Sequence, residues 1–91
     1  HPGVIGIVAS RIKEEFHRPA VIIAIDNDGI GKGSARSIAG FDLYEALTEV
    51  SGHLQNYGGH PMAAGLMLSE ENFEDFKKAF LSFAESNLTE E

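Results

Sequence analysis

The sequence predicts an α/β fold: a single domain in which a small mixed β-sheet of about four or five strands carries packed helices. Three observations lead there. Residues 4–16 and 73–83 repeat apolar side chains every three or four positions, the spacing of a helix face. Between them, the β-branched run Ala20–Ile25 and the segments 30–38 and 63–68 suit strands. Glycine, proline, asparagine and aspartate punctuate the joins. With 91 residues the chain holds one modest core and no second domain.

In the first helix Ile5, Val8, Ala9, Ile12 and Phe16 share a side, with Arg11, Lys13, Glu14 and Glu15 largely opposite. Pro19 disfavours helical backbone at Arg18, so the helix must end before it. The strand that follows, Ala20–Ile25, is apolar on both faces, which predicts a central strand covered by helices. Asp26, Asn27, Asp28 and Gly29 are turn residues, and 30–38 should pair back antiparallel. Asp42 with Glu45 three residues on is an N-cap signature for a helix running to about Val50. Ser51, Gly52 and His53 end it, 54–57 lead into a glycine and histidine loop, and 63–68 return as a strand. The last helix starts after Ser69 with acids in its first turn, where the helix dipole favours them. Its Phe73, Phe76, Phe80 and Phe83 form a core stripe. Residues 87–91 are expected to be a frayed tail, leaving 1–86 as the domain.

Cysteine is absent, which removes disulfides and thiolate metal sites and fits the reducing cytoplasm. The longest apolar run, Ala20–Ile25, is too short to cross a bilayer, and no charged-then-apolar leader opens the chain, so a cytoplasmic protein with no membrane partner is expected. The chain begins at His1 and enters its first apolar segment at once, which reads as a piece of something longer. A net charge of -7 opposes a surface that is basic throughout. The acid is concentrated, however: from residue 69 onward seven carboxylates face two lysines, which leaves -5 there and -2 in residues 1–68.

Two glycine-bearing stretches carry the chemistry. In an extended 30–38, alternation puts Ile30, Lys32, Ser34, Arg36 and Ile38 on one face and Gly31, Gly33, Ala35 and Ser37 on the other. Lys32, Ser34 and Arg36 then stand about 7 Å apart in succession, two cations with a hydroxyl between, a set suited to phosphate oxygens. The alternative is a solvated edge strand with a protective lysine and a glycine bulge. In the second stretch, Gly58 and Gly59 allow positive φ and a concave array of amides. Pro61 stiffens His60, whose imidazole can then donate to a phosphate or protonate a leaving oxygen. Gly65 reads as a site of close backbone packing. Taken together, the cationic row and the imidazole are expected to meet in one pocket for an ester oxyanion.

Other readings fail. Lys32 is followed by Gly33 where a nucleotide P-loop needs Ser or Thr, and Ser37 stands where a calcium loop needs its last acid. No nucleophile elbow surrounds Ser34 or Ser37, and His1, His17, His53 and His60 form no helical ligand pair, so no metal site is assigned to this chain.

In order, the Gly-x-Gly-Ser-x-Arg-Ser stretch, then Gly40, Phe41, Asp42 and Leu43 with Ala46 and Leu47, then Gly-Gly-His-x-x-Ala-Ala-Gly resemble the DHH-associated domain of RecJ-type single-strand-specific DNA exonucleases. The opening residues 1–11 and Arg18 with Pro19 fit the same family, and the resemblance covers about residues 1–84. It implies a fragment of a 5′ to 3′ exonuclease of DNA repair and recombination, partnered by an N-terminal DHH domain that holds manganese or magnesium. It further implies that Ser34, Arg36 and His60 contact single-stranded DNA, His60 beside the scissile phosphate. Lys32, Ser37 and Gly59 are accessory candidates, and the fragment by itself is expected to be inactive. Ala35 stands where the family often has glycine. Relatives of the same two-domain plan, the oligoribonucleases and cyclic-dinucleotide phosphodiesterases, usually carry a longer glycine run before the histidine. A reading of another class is a protein-interaction module docked through the acidic last helix.

Overall fold

Proline at the first helical position, where its missing N–H costs nothing, opens helix α1 (Pro2–Phe16). The computed structural model describes residues 2–88. His17, with φ 54°, takes the left-handed conformation that ends many helices, and β1 (Ala20–Ile25) begins three residues later. The turn to β2 (Ile30–Arg36) is held by Asp26, whose Oδ1 accepts from the amides of Asp28 and Ile30 at 2.9 and 3.0 Å. Helix α2 (Leu43–Glu49) starts as its sequence signals, with Asp42 Oδ1 accepting from Glu45 N at 3.0 Å. A 3-10 turn, Ser51–His53, leads to β3 (Asn56–His60), which Pro61 and Met62 join to β4 (Ala63–Ser69). A second 3-10 turn, Glu70–Asn72, precedes α3 (Phe73–Asn87).

The four strands lie in the order β1-β2-β4-β3, and every pairing is antiparallel. Pairing therefore departs from the expected mixed sheet in this one respect. A second correction concerns position. The both-faces-apolar β1 is an edge strand, and β2, for which an edge was the alternative, is central. Apolar residues on both sides of β1 answer to cover on both sides, α1 above and the flank of α3 below, and not to neighbours in the sheet. Nor do the glycines of β2 mark a bulge. The register runs unbroken through Gly31 and Gly33, and Ile23 and Leu66 from the two neighbouring strands lean over their bare positions.

One face of the sheet carries the core. Ala35, Ala64, Leu66 and Leu68 meet Leu43, Ala46 and Leu47 of α2 and Phe76, Phe80 and Ala84 of α3. Phe41 stands edge-on to Phe80 and Phe83, at centroid distances of 6.1 and 6.0 Å, so the phenylalanine stripe is core as predicted. Helix α1 lies on the other face, chiefly over β1 and β2. Asn87 ends α3 and Leu88 caps it, its amide bonded to Ala84 O. The rest of the expected tail, 89–91, and the opening His1 lie outside the described residues.

Leu47 is fully enclosed. Leu47→Ala should cost about 2–5 kcal/mol of stability, read as a lower denaturant midpoint at constant slope.

Candidate nucleic-acid interface

Register decides which side chains of the two glycine stretches share a surface. Arg36 pairs with Ala63, and Ala63 pairs with His60, so the three occupy one rung with Arg36 and His60 on the same face. Two strand spacings put their Cα atoms about 10 Å apart. The next rung on that face reads Ser34, Gly65, Gly58, and the one after it Lys32, Met67, Asn56. The alternation predicted for Lys32, Ser34 and Arg36 holds: Lys32 is exposed, Ser34 and Arg36 are half-buried, and Gly31, Gly33 and Ala35 are buried against the core.

Two backbone hydrogen bonds fix the histidine hairpin to the end of the arginine strand. Ser37 N donates to Met62 O at 3.0 Å, and Leu43 N donates to Pro61 O at 2.9 Å. The turn after His60 is thereby tied to the residue after Arg36. Ser37 itself is fully buried, with Oγ donating to Phe41 O at 2.7 Å. Its hydroxyl braces the 37–41 loop and is not presented to the open face.

The predicted loop around Gly58, Gly59 and His60 is strand instead, since β3 already begins at Asn56. Gly59 needs its glycine: φ is 140°, and a Cβ would lie 2.5 Å from Ala63 O. Gly58 and Gly65, paired with each other, have no positive φ, and added Cβ atoms would meet nothing nearer than Gly33 O at 3.7 Å from Gly65. Gly65 is thus not a point of close packing, as the sequence suggested. The pair leaves the sheet bare beside α1, a floor of exposed backbone walled on one side by Ser34, Arg36 and the helix.

This surface is open. Two cavities of about 250 and 240 Å³ lie elsewhere, one beside Gly40, Phe41 and Pro61, the other between β1 and α3, and neither is lined by Ser34, Arg36 or His60. Arg36 and His60, expected from sequence to meet in one pocket, share one face of the sheet, and neither of these cavities joins them. Arg11, Lys13 and Arg18 belong to α1 and its exit, together with Glu14 and Glu15, whereas Glu74, Asp75 and Glu85 belong to α3 on the opposite side of the sheet. The one ion pair among the described residues is Lys13 with Glu14 at 3.9 Å, so no carboxylate neutralises Arg36. Among those residues, no three His, Asp or Glu side chains gather as metal ligands, and no helix is long and apolar enough to cross a membrane.

Sequence reasoning missed Gly6. This α1 residue is buried against β2, where an added Cβ would fall 2.9 Å from Arg36 Nη2 and 3.8 Å from Ser34 Oγ. The available signal was a glycine inside an otherwise regular amphipathic helix, which costs about 1 kcal/mol relative to alanine.

Residues 1–86 match the DHHA1 domain family. The chain is 50% identical over 92 residues to the single-stranded-DNA-specific exonuclease RecJ of Bacillus subtilis, covering 100% of this chain and 12% of that protein. It is 49% identical over 84 residues to the protein of the same name from Escherichia coli, covering 88% and 15%. The crystal structure of RecJ in complex with Mg2+ from Thermus thermophilus superposes with a TM-score of 0.84 at 43% identity, over 94% of this chain and 13% of that one. A crystal structure of exonuclease RecJ bound to manganese gives a TM-score of 0.83 at 44% identity, over 93% and 21%. The chain therefore spans only a small part of each relative.

The adjacent glycines of β3 separate cleanly by substitution. Gly59→Ala should lower the thermal midpoint by several degrees because its Cβ meets backbone, whereas Gly58→Ala should leave it unchanged or raise it, gaining about 0.4–1 kcal/mol.

Proposed function

The chain belongs to the DHHA1 domain family, and from that premise we propose that it is the strand-holding domain of a single-stranded-DNA-specific exonuclease. Residues 1–86 would form the domain, joined in the full-length protein to an N-terminal DHH domain that supplies the manganese or magnesium chemistry and the attacking water. The described residues of this chain gather no ligand cluster of their own.

The observation that carries the reading is the shared face: a half-buried guanidinium without a carboxylate partner, a hydroxyl two residues away, and an exposed imidazole two strand spacings across, beside the bare Gly65 and Gly58 of the next rung. Arg36 acts as a fixed cation and fork donor to phosphate oxygens, Ser34 adds a hydroxyl donor, and Lys32 extends the row by one strand repeat. His60 stands at the far side of the strand path, where it donates to the scissile phosphate or protonates the leaving oxygen. Gly58 and Gly65 let the sugar-phosphate chain lie against the sheet. Such contacts position a strand without reading its bases, so digestion proceeds regardless of sequence; its 5′ to 3′ direction is carried over from the family resemblance alone.

In the full-length protein, Arg36→Ala should weaken binding to oligonucleotides of unrelated sequence by a similar factor and lower the slope of log K against log salt by roughly 0.7. Fluorescence anisotropy at several salt concentrations measures both, and an unchanged slope would remove Arg36 from the phosphate contacts. Purified residues 1–91, incubated with manganese and a labelled oligonucleotide, should release no nucleotide. Release that depends on the metal would place a catalytic centre in this chain.

A further inference from the structure

We infer that Gly6 of α1 is a positioning residue for Arg36: the missing side chain gives the guanidinium its seat, and a side chain there displaces it. The inference rests on the reading of Arg36 as a phosphate contact. A glycine in the second turn of an amphipathic helix has no local justification here, since its backbone is ordinary helix and alanine would suit that helix better. What it clears is specific. The nearest atoms to an added Cβ are Arg36 Nη2 at 2.9 Å, Arg36 Cζ at 3.8 Å and Ser34 Oγ at 3.8 Å, all belonging to the two half-buried polar side chains of the open face.

One hydrogen bond and the bare backbone of Gly6 define where the guanidinium lies. Nη1 donates to Ala35 O at 2.8 Å, on its own strand, and Nη2 rests against the helix at Gly6. There it borders the glycine floor, with its charge unpaired by any carboxylate among the described residues. A methyl group at position 6 comes closer to Nη2 than real Cβ contacts allow, so something must move. The yielding part is the end of a flexible side chain and not backbone, which makes the change cheap for the fold and costly for the pose. Arginine recognises phosphate through a planar fork, so a shifted pose weakens the contact even though the charge remains.

A double-mutant cycle in the full-length protein tests this, with binding of fluorescein-labelled oligo(dT) read by anisotropy in EDTA and folding read by thermal midpoint. Gly6→Ala should keep or raise the midpoint and weaken binding by about fivefold, and in an Arg36→Ala background it should cause no further loss. The salt slope of Gly6→Ala should fall toward that of Arg36→Ala, by up to roughly 0.7. Should Gly6→Ala lower the midpoint, binding is read well below the transition and the cycle still decides. Parental binding by Gly6→Ala, or the same loss in both backgrounds, overturns the inference and leaves the phosphate reading of Arg36 intact. Parental binding by Arg36→Ala instead overturns that reading, and the role of Gly6 with it.

Discussion

Everything on the open face depends on how β3 is registered against β4 and β4 against β2. Side chains in a strand alternate faces with a period of two, so a slip of one residue in either pairing would send His60 or Arg36 to the core side. Three things hold the register. The apolar set Ala64, Leu66 and Leu68 can satisfy the core only in one phase, the turn of Pro61 and Met62 fixes the β3–β4 hairpin, and the amides of Ser37 and Leu43 bind the carbonyls of that turn. The last contact matters most because it joins segments far apart in sequence. It makes the spacing of Arg36 and His60 a property of the backbone, which two long side chains could not define by themselves.

The two faces of the sheet divide labour. Below, α2 and α3 bury the phenylalanines and leucines that hold the domain together, and the surplus carboxylates ride on the outside of that layer. Above, a single helix covers half the sheet and leaves β3 and β4 open. An acidic chain is therefore compatible with an anion-binding face, because the sheet separates the carboxylates of α3 from Arg36. Potentials between exposed charges fall off over roughly 8–10 Å at physiological salt, about the thickness of one such layer.

Local signals made most elements legible. The cap at Asp42, the turn at Asp26, the stop before Pro19 and the phenylalanine spacing each act within a few residues and need no tertiary information. The two-residue alternation likewise placed Ser34 and Arg36 together. What failed was whatever depends on sheet order. An apolar strand reads the same whether its neighbours are strands or helices, so Ala20–Ile25 was misplaced to the centre. The glycines of the second stretch looked like loop because glycine is a poor strand residue, and only pairing with β4 reveals them as floor. Gly6 escaped notice for the same reason, since its partner lies thirty positions on and no periodicity links a helix residue to a strand side chain.

Gly58 and Gly59 show why the distinction matters physically. At Gly59 any side chain would strike Ala63 O, so the fold itself demands glycine. At Gly58, and at Gly65 opposite, the fold demands nothing, and a β-branched residue would pair across the strands and strengthen the sheet. A sequence that keeps glycine where a better strand former would fit gives up stability at that rung. The same holds for Gly6, in the middle of a helix. All three positions border Arg36, Ser34 or the face between them and His60, and none faces the core. If the open face holds a nucleic-acid strand as proposed, stability and access to that face compete at these three positions.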